Sequence, residues 1–318
     1  MAIDIDKLLQ GNRRSLAKAI TLTESKLDQH RDQAQTLLEQ ILPHTGNSIR
    51  IGITGIPGVG KSTFIEAFGL HLIKQGHKVA VLAVDPSSPI TGGSILGDKT
   101  RMEVLSQQEN AFIRPSPSGG ALGGVAQKTR EAMLLCEAAG YDVIIVETVG
   151  VGQSEYEVAG MVDFFLVLML PNAGDELQGI KKGILELADA IAVNKADGSN
   201  RNLAQQTQRH YQNALGILQH NSFWRPEVML CSALEGGNID AIWQMISKFK
   251  QKSTEVGHFE RNRALQNKEW MWRLVHELID RRLKRDQRAR ALYEEMQLKV
   301  TQGETTPYIA AHRIVESI

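Results

Sequence analysis

The sequence has few features of a secreted or disulfide-bonded protein. Its 318 residues include two cysteines, Cys136 and Cys231. They fall in a predicted helix and a predicted strand, where we expect two small buried side chains rather than a disulfide or a reactive pair. The first ten residues are partly acidic and lack the basic start and apolar run of a signal peptide. The sequence therefore favours a reducing compartment, and we expect a cytoplasmic protein.

The chain also lacks an excess of either charge and a long apolar run. Lys plus Arg and Asp plus Glu both number 36, so no overall positive field attracts nucleic acid or anionic lipid. The longest apolar run, residues 164–170, ends at Pro171. It is far shorter than the roughly 20 residues that a helix needs to cross a bilayer. We therefore expect neither a nucleic-acid partner nor a membrane partner.

The middle of the chain alternates short β-branched runs with amphipathic segments. This pattern predicts an α/β fold, a mostly parallel sheet with helices on both faces, over residues 48–250. The predicted strands are 49–54, 78–84, 111–114, 143–147, 164–170, 190–194 and 228–232. Residues 1–47 and 251–318 show only helical spacing and are predicted to be helical extensions.

The C-terminal extension carries an apolar stripe on a heavily charged helix. The stripe comprises Ala264, Leu265, Trp272, Val275, Leu278, Ile279 and Leu283. Two interpretations stay open, because such a stripe can pack on its own domain or can form a dimerisation arm.

A glycine-rich run follows the first predicted strand and precedes a predicted helix. It reads Gly55-Ile56-Pro57-Gly58-Val59-Gly60-Lys61-Ser62, followed by Thr63. In such a loop the backbone N–H groups surround phosphates, the lysine supplies positive charge and the serine hydroxyl can bind magnesium. The run therefore predicts a nucleoside triphosphate site with Mg²⁺.

Two later motifs favour guanine over adenine. Asn194-Lys195-Ala196-Asp197 follows a predicted strand, and the Asp197 carboxylate can accept hydrogen bonds from the guanine ring N–H and amino group. A site built on such bonds can reject the wrong ligand by roughly 10⁴-fold. After the last strand, Ser232, Ala233 and Leu234 resemble the loop whose backbone contacts the guanine oxygen in GTPases. We therefore expect GTP and GDP as ligands.

Acidic residues at strand ends are candidates for the magnesium side of the site. Glu147 ends an apolar strand, and the N–H of Gly150 can contact the γ-phosphate. Because Glu147 is longer than the aspartate usual at this position, a role in positioning water is also open. Asp85 ends the second strand and is a second magnesium candidate, although an aspartate before Pro86 can also simply begin a turn.

The residue after Gly150 suggests slow hydrolysis. Val151 stands where Ras-like GTPases have the glutamine that orients the attacking water, and an apolar side chain cannot do this. Candidates to complete the site are Gln153, Asp98 and the segment 175–181. Each of these can equally belong to a solvated polar loop without a catalytic role.

Several runs together resemble the methylmalonyl-CoA mutase-associated GTPases, a metallochaperone-related branch of the P-loop GTPases. The similar runs are 55–62, 84–88, 97–102, 147–153, 170–183 and 194–197, of which 170–183 is the most specific. The resemblance implies a GTP-dependent chaperone that gates adenosylcobalamin loading and protects or reactivates methylmalonyl-CoA mutase or a related acyl-CoA mutase. It implies a switch segment with Asp175, Gln178 and Lys181. Together with the motifs above, we expect catalytic roles for Lys61, Asp98, Glu147, Gln178 and Lys181, and Mg²⁺ bound by Ser62, Asp85, Asp98 and Glu147. The resemblance also implies a homodimer formed through the C-terminal helices.

Three other functions stay open at this point. A nickel-insertion GTPase would need clustered metal ligands, whereas the nine histidines are scattered. A kinase of a transport protein would need a phosphoacceptor, which the sequence does not identify. A GTP-binding scaffold is compatible with Val151, although the presence of Lys61, Ser62 and Glu147 favours slow hydrolysis.

Overall fold

The computed structural model describes residues 3–25, 27–84, 102–115, 122–148, 154–171, 182–217 and 223–317. These residues form two units, Met1–Phe259 and Glu260–Ile318. No helix among the described residues is both long enough and apolar enough to cross a membrane.

A seven-stranded sheet forms the centre of the first unit. The strands are β1 Ile49–Gly55, β2 Val79–Val84, β3 Ala111–Arg114, β4 Val143–Thr148, β5 Phe164–Met169, β6 Ala190–Val193 and β7 Glu227–Leu230. They pair in the order β3-β2-β4-β1-β5-β6-β7, and each of these pairings is parallel. The predicted α/β fold with a parallel sheet is thus confirmed. Because all seven run in one direction, their carboxyl ends lie along one edge of the sheet, where ligands bind in such folds.

Helices cover both faces of this sheet. Those of the first unit are α1 Ile5–Leu9, α2 Arg13–Glu24, α3 Asp28–Ile41, α4 Lys61–Lys74, α5 Glu103–Gln107, α6 Leu122–Ala138, α7 Ser154–Ala159, α8 Lys182–Leu187, α9 Arg201–Ile217 and α10 Ile239–Glu255. Two 3₁₀ turns occupy Leu42–His44 and Gly198–Asn200. Helix α11 spans His258–Arg285, and α12 Gln287–Thr301 and α13 Pro307–Glu316 complete the second unit.

Alternate residues of each strand enter different cores. In β4, Ile144 and Val146 face the core that also holds Leu16 and Leu37 of the N-terminal helices. Ile145 faces the second core with Phe68 of α4. This division follows from the period of two in a strand, which sends successive side chains to opposite faces. The predicted N-terminal extension therefore contributes apolar side chains to one core of the first unit.

The second unit exposes large apolar side chains on α11. Those more than two-fifths exposed are Leu265, Met271, Trp272, Leu278 and Ile279. Residues 265, 272 and 279 are seven apart, so they share one face of the helix. Within the same unit, Ala289 and Met296 of α12 and Ala310 of α13 are buried.

A carboxyl group lies at the amino edge of the sheet, opposite to the phosphate loop. The Phe165 N–H donates to Asp189 Oδ2 at 2.8 Å. Burial is the main reason that the pKa of Asp189 is raised to about 7. The hydrogen bond from Phe165 lowers this pKa, and the negative charge of Asp163 raises it. The folded state therefore favours the neutral acid.

Replacing Asp189 by asparagine should reduce the dependence of stability on pH. An acid whose pKa is raised on folding stabilises the fold below its unfolded pKa, near 4, and this contribution is lost as pH rises through about 7. The asparagine amide would keep an oxygen to accept from Phe165 without titrating. Urea unfolding at pH 5 and pH 8 should show the variant gaining stability relative to wild type at the higher pH. Glu186→Gln, an exposed change on α8, is the control, and an equal pH dependence in the wild type and Asp189→Asn would contradict the prediction.

Candidate functional site

The phosphate loop joins the carboxyl end of β1 to the first residue of α4. Gly60 precedes the helix with φ +89°, a left-handed conformation that favours glycine. A Cβ on Gly60 would lie 3.0 Å from Asn194 Nδ2, and one on Gly55 would lie 2.6 Å from the Leu168 carbonyl oxygen. The glycines are thus required by close approach as well as by backbone conformation.

Lys61 holds its ammonium group over this loop. Its Nζ donates to the Gly55 carbonyl at 2.7 Å and to the Ile56 carbonyl at 3.4 Å. Lys61 is also the first residue of α4, whose N-terminal N–H groups carry partial positive charge. Positive charge and backbone donors therefore meet where the sequence predicts phosphate. Of the other loop residues, Val59 is fully buried and Thr63 is exposed.

Ser62 and Glu147 lie together beside the loop. Ser62 Oγ donates to Glu147 Oε1 at 3.3 Å, and Glu147 is only 9% exposed at the end of β4. Hydroxyl and carboxylate oxygens are donors that Mg²⁺ accepts, so this pair fits the ion. Among the described residues, no three His, Cys, Asp or Glu side chains group as metal ligands.

Asn194 connects the phosphate loop to the loop after β7. Its Nδ2 donates to the Val59 carbonyl at 2.8 Å, and its Oδ1 accepts from the Ala233 N–H at 3.0 Å. The side chain is 1% exposed. Lys195 adds a second connection, because its Nζ donates to the Gly58 carbonyl at 2.8 Å. The two predicted halves of the nucleotide site, for phosphate and for base, are thus joined directly.

Asp197 is held by the neighbouring loop. Ser232 Oγ donates to Asp197 Oδ2 and in turn accepts from the Glu235 N–H at 3.1 Å. This pairing orients a carboxylate that can still accept further hydrogen bonds. Leu234 is 84% exposed beside it.

One contributor that motif reasoning missed is Cys231. Its Sγ donates to Asn194 Oδ1 at 3.7 Å. Burial, with the nearby charge of Asp197, raises the pKa of the Cys231 thiol to about 12, which keeps it a hydrogen-bond donor. The residue pattern predicts only a small buried side chain here, because a hydrogen bond between distant positions leaves no trace in spacing.

The remaining predicted site residues lie outside the described residues. They are Asp85, Asp98, Gly150, Val151, Gln153, Asp175, Gln178 and Lys181. The described part of the site therefore consists of residues 55–63, Glu147, Asn194, Lys195, Asp197 and residues 231–234.

Replacing Asn194 by alanine should weaken nucleotide binding. The change removes the partners of the Val59 carbonyl and the Ala233 N–H, and each buried group left unpaired costs about 1–3 kcal/mol. We expect a fluorescent GDP derivative to dissociate at least about tenfold faster in stopped-flow measurements. Asn213→Ala, on an exposed position of α9, is the matched control. Wild-type dissociation from a folded Asn194→Ala variant would refute the bridging role.

Known proteins are similar to this chain over nearly its whole length. A protein of Escherichia coli K12 named GTPase ArgK is 50% identical over 319 aligned positions, gaps included, and the alignment covers 100% of this chain and 96% of that protein. A mouse protein named methylmalonic aciduria type A homolog, mitochondrial, is 46% identical over 321 aligned positions, gaps included, and the alignment covers 98% of this chain and 77% of that protein. A crystal structure of a LAO/AO transport system kinase matches with a TM-score of 0.78 and 44% identity, over 98% of this chain and 95% of that chain.

The family model also spans most of the chain. The model described as methylmalonyl Co-A mutase-associated GTPase MeaB matches residues 16–288. This match confirms the resemblance drawn from the motifs and identifies the chain as a GTPase. The protein belongs to the methylmalonyl-CoA mutase-associated GTPase family.

Proposed function

We propose that this GTPase is a chaperone of an adenosylcobalamin-dependent mutase. It uses slow, magnesium-dependent GTP hydrolysis to gate cofactor loading and to protect or reactivate methylmalonyl-CoA mutase. The observation that carries the proposal is the family match over residues 16–288, whose description names this mutase. The mouse relative, named after methylmalonic aciduria, supports the same partner.

Different described residues would bind the phosphates and the guanine of GTP. The first turn of α4 and Lys61 offer N–H groups and positive charge to the phosphates, and the Lys61 ammonium would stabilise charge that develops on the transferred phosphoryl group. Asp197, oriented by Ser232, would accept from the guanine N–H groups. Asn194 keeps these two parts at a fixed separation.

Ser62 and Glu147 are the described residues that would hold magnesium, with Asp85 and Asp98 as further proposed ligands. When bound, the ion neutralises charge on the phosphate oxygens. The hydrogen bond between Ser62 and Glu147 holds two oxygen atoms in adjacent positions before the ion arrives. Such preorganisation lowers the cost of assembling the site.

Partner docking is proposed to complete this site. Because Val151 cannot orient water, basal turnover should be slow. Gln178 or Lys181, on the segment that the family resemblance assigns as a switch, would then enter when the mutase binds. A side chain supplied on partner binding can raise phosphoryl-transfer rates by roughly 10³-fold or more in other GTPases.

Mutase should stimulate GTP hydrolysis, and Lys181→Ala should abolish that stimulation. The reason is that a missing ammonium leaves transition-state charge uncompensated while ground-state binding contacts remain. Steady-state phosphate release is measured with and without purified methylmalonyl-CoA mutase, alongside GTP affinity. Lys182→Ala is the adjacent control. Stimulation that survives in Lys181→Ala would remove this residue from the mechanism, and wild-type turnover indifferent to the mutase would discard the partner.

Homodimerisation is a second part of the proposal. The proposed contact surface is the exposed face of α11 formed by Leu265, Trp272 and Ile279. The seven-residue spacing and the large apolar side chains of this face support the assignment. This face lies on the second unit, whereas the nucleotide site lies on the first.

Changing two side chains on this face should produce monomers. The double variant Trp272→Glu/Ile279→Glu places charges where the partner helix would pack, which is costly in a desolvated interface. Sedimentation velocity should show a dimer for wild type and a monomer for the variant, with basal GTP turnover retained. Glu277→Gln/Lys284→Gln, at exposed positions of the same helix outside this face, is the control. A monomeric wild type, or a variant that remains dimeric, would contradict the proposal.

A kinase activity is the alternative that one observation favours. The similar crystal structure bears the name of a transport system kinase. Transfer of radiolabelled γ-phosphate from GTP to a protein acceptor would support this alternative, whereas release as free phosphate supports hydrolysis.

A further inference from the structure

Two buried threonine hydroxyls meet at the nucleotide edge of the sheet. Thr148 Oγ1 donates to Thr54 Oγ1 at 2.7 Å. Thr54 is 2% exposed and Thr148 is 1% exposed. A hydrogen bond in such a place is directional and shielded from water, so it fixes the separation of the two chain segments.

Each threonine adjoins one part of the predicted nucleotide site in the sequence. Thr54 immediately precedes Gly55, whose carbonyl accepts from Lys61. Thr148 immediately follows Glu147, whose carboxylate accepts from Ser62. The hydroxyl bond therefore links the start of the phosphate loop to the residue that follows the acidic ligand.

Backbone pairing between these strands stops just before the two threonines. The β1–β4 register runs from Ile49↔Val143 to Ile53↔Glu147. The next residues are Thr54 on β1 and Thr148 on β4. Each still pairs with the strand on its other side, Thr54 with Val167 of β5 and Thr148 with Val84 of β2. The side-chain hydroxyls thus continue the connection at the point where the β1–β4 ladder ends.

Stability alone does not account for a hydroxyl pair here. On β4, the side chains that share the face of Thr148, Ile144 and Val146, are apolar and lie in the adjoining core. Valine has nearly the same shape as threonine and a high strand propensity. Replacing both members of a hydrogen-bonded pair by apolar groups of the same shape is close to neutral for folding. Two valines would therefore fill the same space.

We propose that the Thr54–Thr148 hydrogen bond is a positioning element for magnesium-dependent GTP hydrolysis. It holds the start of the phosphate loop against the end of β4, so that Ser62 and Glu147 remain close enough to bind one ion. The inference rests on the proposed magnesium site and is independent of the mutase. Neither threonine touches the reacting groups in this scheme.

The test compares Thr148→Val, Thr54→Val and the double valine variant with wild type. The first readout is the Mg²⁺ concentration that half-maximally slows release of a fluorescent GDP derivative, which needs no catalysis. Supporting groups behind metal ligands typically contribute roughly 10- to 100-fold to metal affinity, so each variant should need about tenfold more Mg²⁺. The second readout is turnover, where kcat should fall more than KM for GTP rises.

Three controls separate positioning from a structural role. Thr148→Ser keeps the hydroxyl and should restore the wild-type Mg²⁺ dependence. Thr129→Val removes a buried hydroxyl that donates to the Val125 carbonyl within α6 and joins no two strands, so it should leave that dependence unchanged. The double valine variant should melt within about 4 °C of wild type, so it carries the test even if a single variant is too unstable.

Folded double valine protein with wild-type Mg²⁺ dependence and turnover would overturn the inference. If Mg²⁺ fails to slow GDP release from wild type, the proposed magnesium site is wrong and the inference falls with it. All measurements are made without mutase, so a failed chaperone role would show only in the separate stimulation assay.

Discussion

The nucleotide site depends on one buried amide. Asn194 donates to the phosphate loop at Val59 and accepts from the loop after β7 at Ala233. Because both bonds are shielded from water, either one can be lost only by leaving a buried polar group unpaired. A single side chain thereby fixes the distance between the groups that would bind phosphate and those that would bind guanine.

The parallel sheet makes this arrangement possible. The phosphate loop follows β1, Glu147 lies at the end of β4, and Asn194 and Ser232 follow β6 and β7. The carboxyl ends of all four strands lie at one edge of the sheet. Side chains far apart in the sequence can therefore meet with little adjustment of the backbone. The close contacts at Gly55 and Gly60 are the local consequence, because a Cβ at Gly55 would clash with the Leu168 carbonyl oxygen of β5 and one at Gly60 would crowd the Asn194 side chain.

The sequence predicts the strands better than the contacts among the loops. All seven strands are expected, because apolar runs bounded by turn residues leave few alternatives for buried segments. The last strand ends at Leu230 rather than at the predicted residue 232, since the Ser232 N–H bonds to the Gly237 carbonyl instead of continuing the ladder. The motifs indicate the chemistry of Asn194 and Lys195 but not their bonds to the phosphate loop, because spacing along the chain does not encode which distant loops meet. The sequence also does not predict that the N-terminal helices pack into the same core as β4, because this contact too joins distant parts of the chain.

Calorimetric titration of the wild-type protein with GDP and with ADP, each with Mg²⁺, tests the central claim most directly. If Asp197 is held ready to accept from guanine while Asn194 fixes its distance from the phosphate loop, GDP should bind about 10⁴-fold more tightly than ADP, because adenine lacks the two donors that guanine presents to this carboxylate. Equal affinities would contradict this account of the site.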